Sequence, residues 1–313
     1  YSSCWSYNDN IDATSTLNQS ALGSDDFNVT ATNVGSVVAV AGTIREIYIE
    51  QNDACGVGKT RTYKLFKRSG PTQLGGDMVI TGDTQKVSNN TGLAIAVAAG
   101  DVLYLTETPT STPTATRLRH AIVIEPTTLG QFQLGLQNTL LVSDITTMWH
   151  PPSTGGTQVS GSENAAAMPI PFAIAVSALY VTCADVNTVN EDVVITLRKN
   201  LADAGPTVTL NAANVSIAND ISNAASYAIG NTINYKFASA TNGDLSNYSL
   251  AIACSMASSS GGSGGGGQGK GGKGGGGGGP SKPPGGGGGG APGNKHDAIV
   301  ASRGRRRLTA GVL

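Results

Sequence analysis

The sequence predicts an all-β fold: two tandem antiparallel β-sandwiches of jelly-roll-like type, followed by a glycine-rich C-terminal extension. Three observations predict it. Short alternating or wholly apolar runs recur between clusters of turn residues, with no 3.6-residue period among them. Charged residues make up only 13 % of the 313 and aromatics 5 %, while Gly, Ala, Ser, Thr, Val and Asn dominate, a mix that suits short strands and polar turns. The second half also repeats the layout of the first.

Taken in order, residues 1–26 are polar and irregular and are expected to form an N-terminal arm. The first sandwich is expected over 27–126, with strands at Ser36–Val40, Thr43–Glu50, Thr60–Lys67, Asp77–Thr81, Leu93–Val97, Asp101–Glu107 and Leu118–Glu125. Pro109, Pro113 and Pro126 fall between or after the runs, where a missing N–H is tolerated. Residues 127–167 read as a linker, and 168–257 as a second sandwich. Three matches set the repeat: Gly70–Thr72 with Gly205–Thr207, Ala99–Leu105 with Ile229–Tyr235, and Ala121–Ile124 with Ala251–Cys254, at offsets of 135, 130 and 130 residues. Kept order and spacing at low identity point to internal duplication of a unit of roughly 100 residues.

Beyond Met256 the composition changes: 21 of residues 261–290 are Gly. No apolar side chain is present there to offset backbone entropy, so the segment 258–294 is expected as a flexible linker, or as extended polyglycine sheltered by partner chains. The body carries 12 Lys/Arg against 20 Asp/Glu over 1–257, whereas 258–313 carries 8 Lys/Arg against Asp297 alone. Lys270, Lys273, Arg303, Arg305, Arg306 and Arg307 are therefore candidate contacts to an anionic partner, and the basic segment 295–313 is the one place where nucleic acid fits. No aromatic residue interleaves with these arginines, so base stacking is unsupported.

No enzyme chemistry is expected. Cys55-Gly-Val-Gly-Lys-Thr60 has the ending of a phosphate-binding loop, but Asp53 stands where the leading Gly is required and a strand pattern, not a helix, follows. His120, His150 and His296 are scattered, and Asp25-Asp26 and Glu191-Asp192 sit in turn-like places. Cys4, Cys55, Cys183 and Cys254 lack C-x-x-C spacing, which excludes zinc and thioredoxin-like readings. Cys183 and Cys254 close the second and last strands of the second unit, as one disulfide or as two buried thiols. No metal or cofactor is expected. No run of eighteen apolar residues exists, so no membrane span is expected.

Three segments carry a family resemblance: Gly56–Thr62 (G-x-GK-[ST]-x-T before a strand), Ala98–Asp101 (AAGD) and Pro109–Ala115 (a T-P-T-A loop before the last strand). Over Gly42 to Pro126 the chain is similar to a β-sandwich unit of phage and phage-like structural proteins. The second unit lacks the GK turn and the T-P-T-A loop, so its membership rests on the repeat. The resemblance implies a virion or tail-associated role and supplies no catalytic residues. The glycine-rich tail resembles those of phage adhesin tips. The expected function is a capsid-associated or tail-fibre component of a virion, forming a homo-oligomer (a trimer as first expectation) with other virion proteins. The alternatives are a host-binding adhesin, viral or secreted to a bacterial surface, that contacts glycan or protein, and a polysaccharide hydrolase, which would need two facing carboxylates.

Overall fold

Alternation writes the central strands. In Gly42–Gln51 the apolar side chains that enter the core are Ile44, then Ile47 and Ile49, and in Ile174–Val186 they are Ile174 and Val176, then Leu179, Val181 and Cys183. The three-residue step in each breaks the period of two, and each step is a β-bulge, at Arg45 and at Ser177. The computed structural model describes residues 2–11, 14–22, 27–28, 34–138, 142–152, 161–186, 192–211 and 217–257. Residues 1–260 gather into one unit.

The first sandwich holds β1 (Ser2–Ile11), β2 (Leu17–Ser20), β3 (Phe27–Asn28), β4 (Ser36–Val37), β5 (Gly42–Gln51), β6 (Gly56–Lys67), β7 (Thr72–Gly82), β8 (Val87–Asn90), β9 (Ile95–Val97), β10 (Val102–Thr110) and β11 (Thr116–Pro126). The second holds β12 (Gln131–Asn138), β13 (Val142–His150), a short helix α1 (Glu163–Ala166), β14 (Met168–Pro169), β15 (Ile174–Val186), β16 (Val193–Lys199), β17 (Ala202–Leu210), β18 (Ala218–Asp220), β19 (Ala225–Tyr227) and β20 (Thr232–Met256). The first sandwich packs a sheet in the order β1-β11-β5-β8 against one in the order β2-β10-β6-β7. That is the strand order of an eight-stranded jelly roll, all antiparallel. The second repeats it, with the 25-residue β20 serving as two strands: its first half pairs β13 and β16, its second half β12 and β15.

The repeat holds to the level of single hydrogen bonds. Val38 N donates to Asp101 O at 2.8 Å and Gly100 N to Val38 O at 2.7 Å; Ile170 N donates to Asn231 O at 2.7 Å and Gly230 N to Ile170 O at 2.9 Å. Asp101 and Asn231 each accept, through a side-chain oxygen, the N–H three residues back, from Ala98 at 2.9 Å and Ala228 at 2.8 Å. The 130-residue offsets at 99–105 and 121–124 are the structural ones. The Gly70–Gly205 match is not: Gly205 in β17 answers Gly75 in β7. Both have positive φ, 77° and 90°, at the bulge of the β6–β7 and β16–β17 ladders. A Cβ on Gly75 would sit 3.3 Å from Ile95, and one on Gly205 2.6 Å from the Cβ of Ala225, residues that answer each other in β9 and β19. Gly205→Ala is therefore expected to destabilise the protein by about 2–3 kcal/mol, since strain and overlap coincide there; equilibrium urea unfolding measures it.

Two boundaries differ from expectation. Residues 1–26 are not an arm: β1 pairs β11 along its length and β2 pairs β10. Polar sequence hid them because β1 is an edge strand, and because β2 buries Asn18, Gln19 and Ser20 through polar contacts such as Thr106 Oγ1 to Asn18 Oδ1, 2.9 Å. Residues 127–167 are not a linker either, since β12 and β13 supply both sheets of the second sandwich. There α1 is held by a two-pronged ion pair, Arg198 Nε and Nη2 to Glu163 at 2.7 and 2.9 Å.

The two cores are separate: one around Ile47, Leu65, Leu105 and Ile122, the other around Leu179, Ile195, Tyr235 and Ile252. A third, small cluster joins them. Val37, Ala39 and Val40, at one end of the first sandwich, pack on Ala178, Tyr180, Ala251 and Ala253, on a sheet face of the second. Val37 N donates to Ser249 Oγ at 3.2 Å, Ala39 N to Gln133 Oε1 at 2.8 Å, and Arg68 bridges Val34 O at 2.7 Å and Thr182 Oγ1 at 3.2 Å. Burial in this seam holds the Arg68 guanidinium below its usual pKa.

Candidate functional site

The motif-bearing end of the first sandwich is built from the β5–β6, β7–β8 and β10–β11 connections. The β6–β7 ladder jumps from Gly56↔Gly82 to Thr60↔Thr81, so Val57, Gly58 and Lys59 stand proud of the sheet, with Val57 80 % exposed. No helix follows; Gly56–Thr60 is the bulged start of β6 itself, whereas a nucleotide loop lies between a strand and a helix. The structure brings this turn against the T-P-T-A loop: Thr114 N donates to Cys55 O at 3.0 Å, and Asp53 N to Thr116 Oγ1 at 2.8 Å. Ser111 and Thr112, at the tip, have φ of 61° and 52°. Strained non-glycine residues of this kind occur where the surrounding structure dictates their conformation.

Beneath these loops lies a buried ion pair. Arg61 Nη1 donates to Glu107 Oε1 at 2.5 Å, both side chains fully buried, and Nη2 donates to Thr114 O at 3.0 Å. Beside them the Gln51 amide donates to the Tyr63 hydroxyl, and the Cys55 thiol donates to Ile80 O at 3.4 Å. Burial, with the Glu107 charge as a lesser cause, pushes the Tyr63 phenol far above its ordinary pKa, and burial raises the Cys55 thiol. Phenol and thiol are thus neutral and Arg61 is committed to Glu107. The cluster can anchor two loops; it offers no reactive base.

The second candidate lies at the end of the second sandwich. An apolar cleft of about 200 Å³ opens between Phe132 and Leu134 of β12, Pro152, and the run Met168–Phe172. A wider one of about 350 Å³ adjoins it, bordered by Leu129, Phe132, Phe172 and Met256. The two share Phe132 and Phe172, whose rings meet edge-on with centroids 6.0 Å apart. Among the described residues lining these clefts the one carboxylate is Glu125, paired with Arg45 at 2.5 Å; a glycosidase needs two facing acids.

The residues marked in the sequence fall as follows. Cys183 and Cys254 are buried free thiols, not a disulfide. Both lie on the β15–β20 ladder, but Cys183 faces Tyr248 while Cys254 faces Val176, seven residues apart along the strand or about 23 Å, far beyond a bridge. Burial raises the Cys254 thiol to about 12. His120 is buried in β11 with Nε2 3.0 Å from Ala21 O, and His150 ends β13 with Nδ1 2.9 Å from Pro151 O. Lys270, Lys273, Arg303, Arg305, Arg306, Arg307, His296, Cys4 (as a side chain), Asp25, Asp26 and Glu191 lie outside the described residues. Among the described residues no three His, Cys, Asp or Glu group as a metal site, and no helix is long and apolar enough to cross a membrane. Sequence reading missed Arg61, Glu107 and Arg68. Its available signal was a charge at an inward position of an otherwise apolar alternating strand, as at Arg61-x-Tyr63-x-Leu65.

No family model matches the chain, and no curated protein does. Among solved structures, one similar chain is a "putative secreted protein" of Eubacterium rectale, at 13 % identity over 71 % of this chain and 69 % of that one, with a TM-score of 0.19.

Proposed function

We propose that the chain is a virion structural protein of phage-like kind, which works by assembly and surface contact and not by catalysis. One observation carries the reading: two jelly rolls, packed end to face through Arg68 and the Val37–Ala253 seam, form one unit, an arrangement suited to contacts made at the outer ends. Jelly rolls serve capsids and lectins alike, so the fold supports the reading without fixing it. Two of the three motifs that resemble phage structural proteins, at Gly56–Thr62 and Pro109–Ala115, meet at one of those ends, which adds a second line of support, while Ala98–Asp101 lies at the seam. Particles purified from a producing culture are expected to contain the chain in stoichiometric amount by mass spectrometry. Finding it only in the particle-free fraction would sink the proposal.

A host-binding role is favoured by one feature, the strained Ser111–Thr112 tip on the same end of the sandwich as the exposed Val57 and Gly58 and the half-buried Lys59. In that case Val57→Asp would abolish attachment of the purified chain to host cells while leaving particle incorporation intact.

A further inference from the structure

The register of the repeat allows the two sandwich ends to be compared residue by residue. The pairing of Val37 with Val102 answers that of Pro169 with Thr232, so Val37-Val38-Ala39-Val40 corresponds to Pro169-Ile170-Pro171-Phe172. The first of these ends is covered by the second sandwich, and Gly100 in its turn has Tyr180 and Ile217 within 4 Å of where a Cβ would stand. Among the described residues the second end is open: around Gly230, the counterpart of Gly100, none of them lies within 4 Å of where a Cβ would stand.

The open end differs in chemistry. In the covered end, the N–H groups of positions 37 and 39 need the acceptors Ser249 and Gln133 of the covering face. At the open end both positions are proline, which has no N–H to satisfy. Around them stand Leu129, 96 % exposed, Ile229, 72 % exposed, and the part-exposed Phe172 and Met256, beside the wholly apolar 200 Å³ cleft. A surface of this kind can be buried against an apolar partner without stranding a polar group.

We infer that the open end of the second sandwich, Leu129, Pro169–Phe172, Ile229 and Met256, is a self-association surface that closes against the same end of a second copy. Two observations select that occupant. Continuing the internal end-to-face arrangement would set this end on the first sandwich of another copy, on the face answering the covering one. There Ala178, Thr182, Ser249 and Ala253 are replaced by Glu46, Glu50, Arg119 and Val123, with Glu50 and Arg119 paired at 3.5 Å. An apolar end would have to desolvate those charges, so the head-to-tail filament is disfavoured. The open end, by contrast, carries both a protruding Leu129 and a cleft of the size and polarity to receive an apolar side chain, as a two-fold, self-complementary contact requires. The self-association expected from sequence thereby takes two-fold form. This holds whether or not the chain is a virion component.

Sedimentation equilibrium of the full chain tests it. The wild type is expected to show a monomer–dimer equilibrium, weakened at least about 30-fold by Leu129→Asp and by Ile229→Asp. Val57→Asp, at the far end of the first sandwich, is expected to leave it unchanged. Both target side chains are solvent-exposed in the monomer, so unaltered circular dichroism and melting of that species show that the fold is intact. A wild-type monomer at all concentrations, a trimer, or a dimer indifferent to both substitutions would overturn the inference. So would a monomer whose end binds a hydrophobic dye that Leu129→Asp abolishes, because the surface would then serve a different partner. A dimer in solution with no chain in particles would leave this inference standing and remove the proposed function.

Discussion

Arg61→Val is expected to cost about 3–5 kcal/mol in equilibrium unfolding, because it removes the cation paired with the fully buried Glu107 carboxylate. The chain supplies its own control. By the strand register, Arg61 and Glu107 correspond to Val193 and Phe237 of the second sandwich, an apolar pair of similar combined volume that is equally buried. Arg61→Val combined with Glu107→Phe should therefore recover most or all of the loss, and the double-mutant cycle should show strong coupling. If the double variant is as unstable as the single one, the pair contributes more than charge compensation; the bond from Arg61 to Thr114 O would be the next contact to dissect. The same double variant separates stability from function: a fold that survives while the β10–β11 tip loses its conformation would assign the ion pair to holding the loops.

Acid should weaken the fold through His120. Burial depresses its pKa to about 4, against an ordinary 6.5, although the bond from its ring to Ala21 O acts the other way. Between those values the unfolded chain takes up a proton that the folded chain refuses. Stability from the neutral ring is therefore complete above about pH 6.5 and is lost progressively as pH falls toward 4, by about 3 kcal/mol in all. The counterpart of His120 in the second sandwich is Leu250. His120→Leu is expected to lower stability at pH 7 by leaving Ala21 O without its donor, yet to flatten the change in melting temperature between pH 6.5 and 4.5. Parallel pH profiles for wild type and variant would refute this account.

Much of the architecture was legible because its signals are local. The period-two apolar sets that enter the cores from Gly42–Gln51 and Ile174–Val186 can be read directly, and the Ile44-x-x-Ile47 and Val176-x-x-Leu179 steps mark even the bulges. The Ala98–Asp101 and Ala228–Asn231 turns could be matched because one side-chain oxygen does the same work in each. Where the reading failed, stability came from pairing that leaves little trace in composition. Edge strands such as β1 need few apolar residues, and β2 buries amides and hydroxyls that look like loop sequence. The Gly70–Gly205 error has the same root: a G-P-T string was weighed by identity, whereas the position is defined by a bulge that faces Ile95 or Ala225. The contact surfaces were harder still, since Pro169 and Pro171 acquire meaning only beside Val37 and Ala39 in the aligned fold.

The continuous β20 has a mechanical consequence. From residue 248 to 255 it is an inner strand, hydrogen-bonded to β12 on one side and β15 on the other, and it ends at Met256. Antiparallel hydrogen bonds lie across the strand axis. A pull on the chain beyond that point along the strand would load two full ladders in shear at once, not peel them apart one bond at a time. A force applied at Met256 is thus borne by a strand paired along both of its edges.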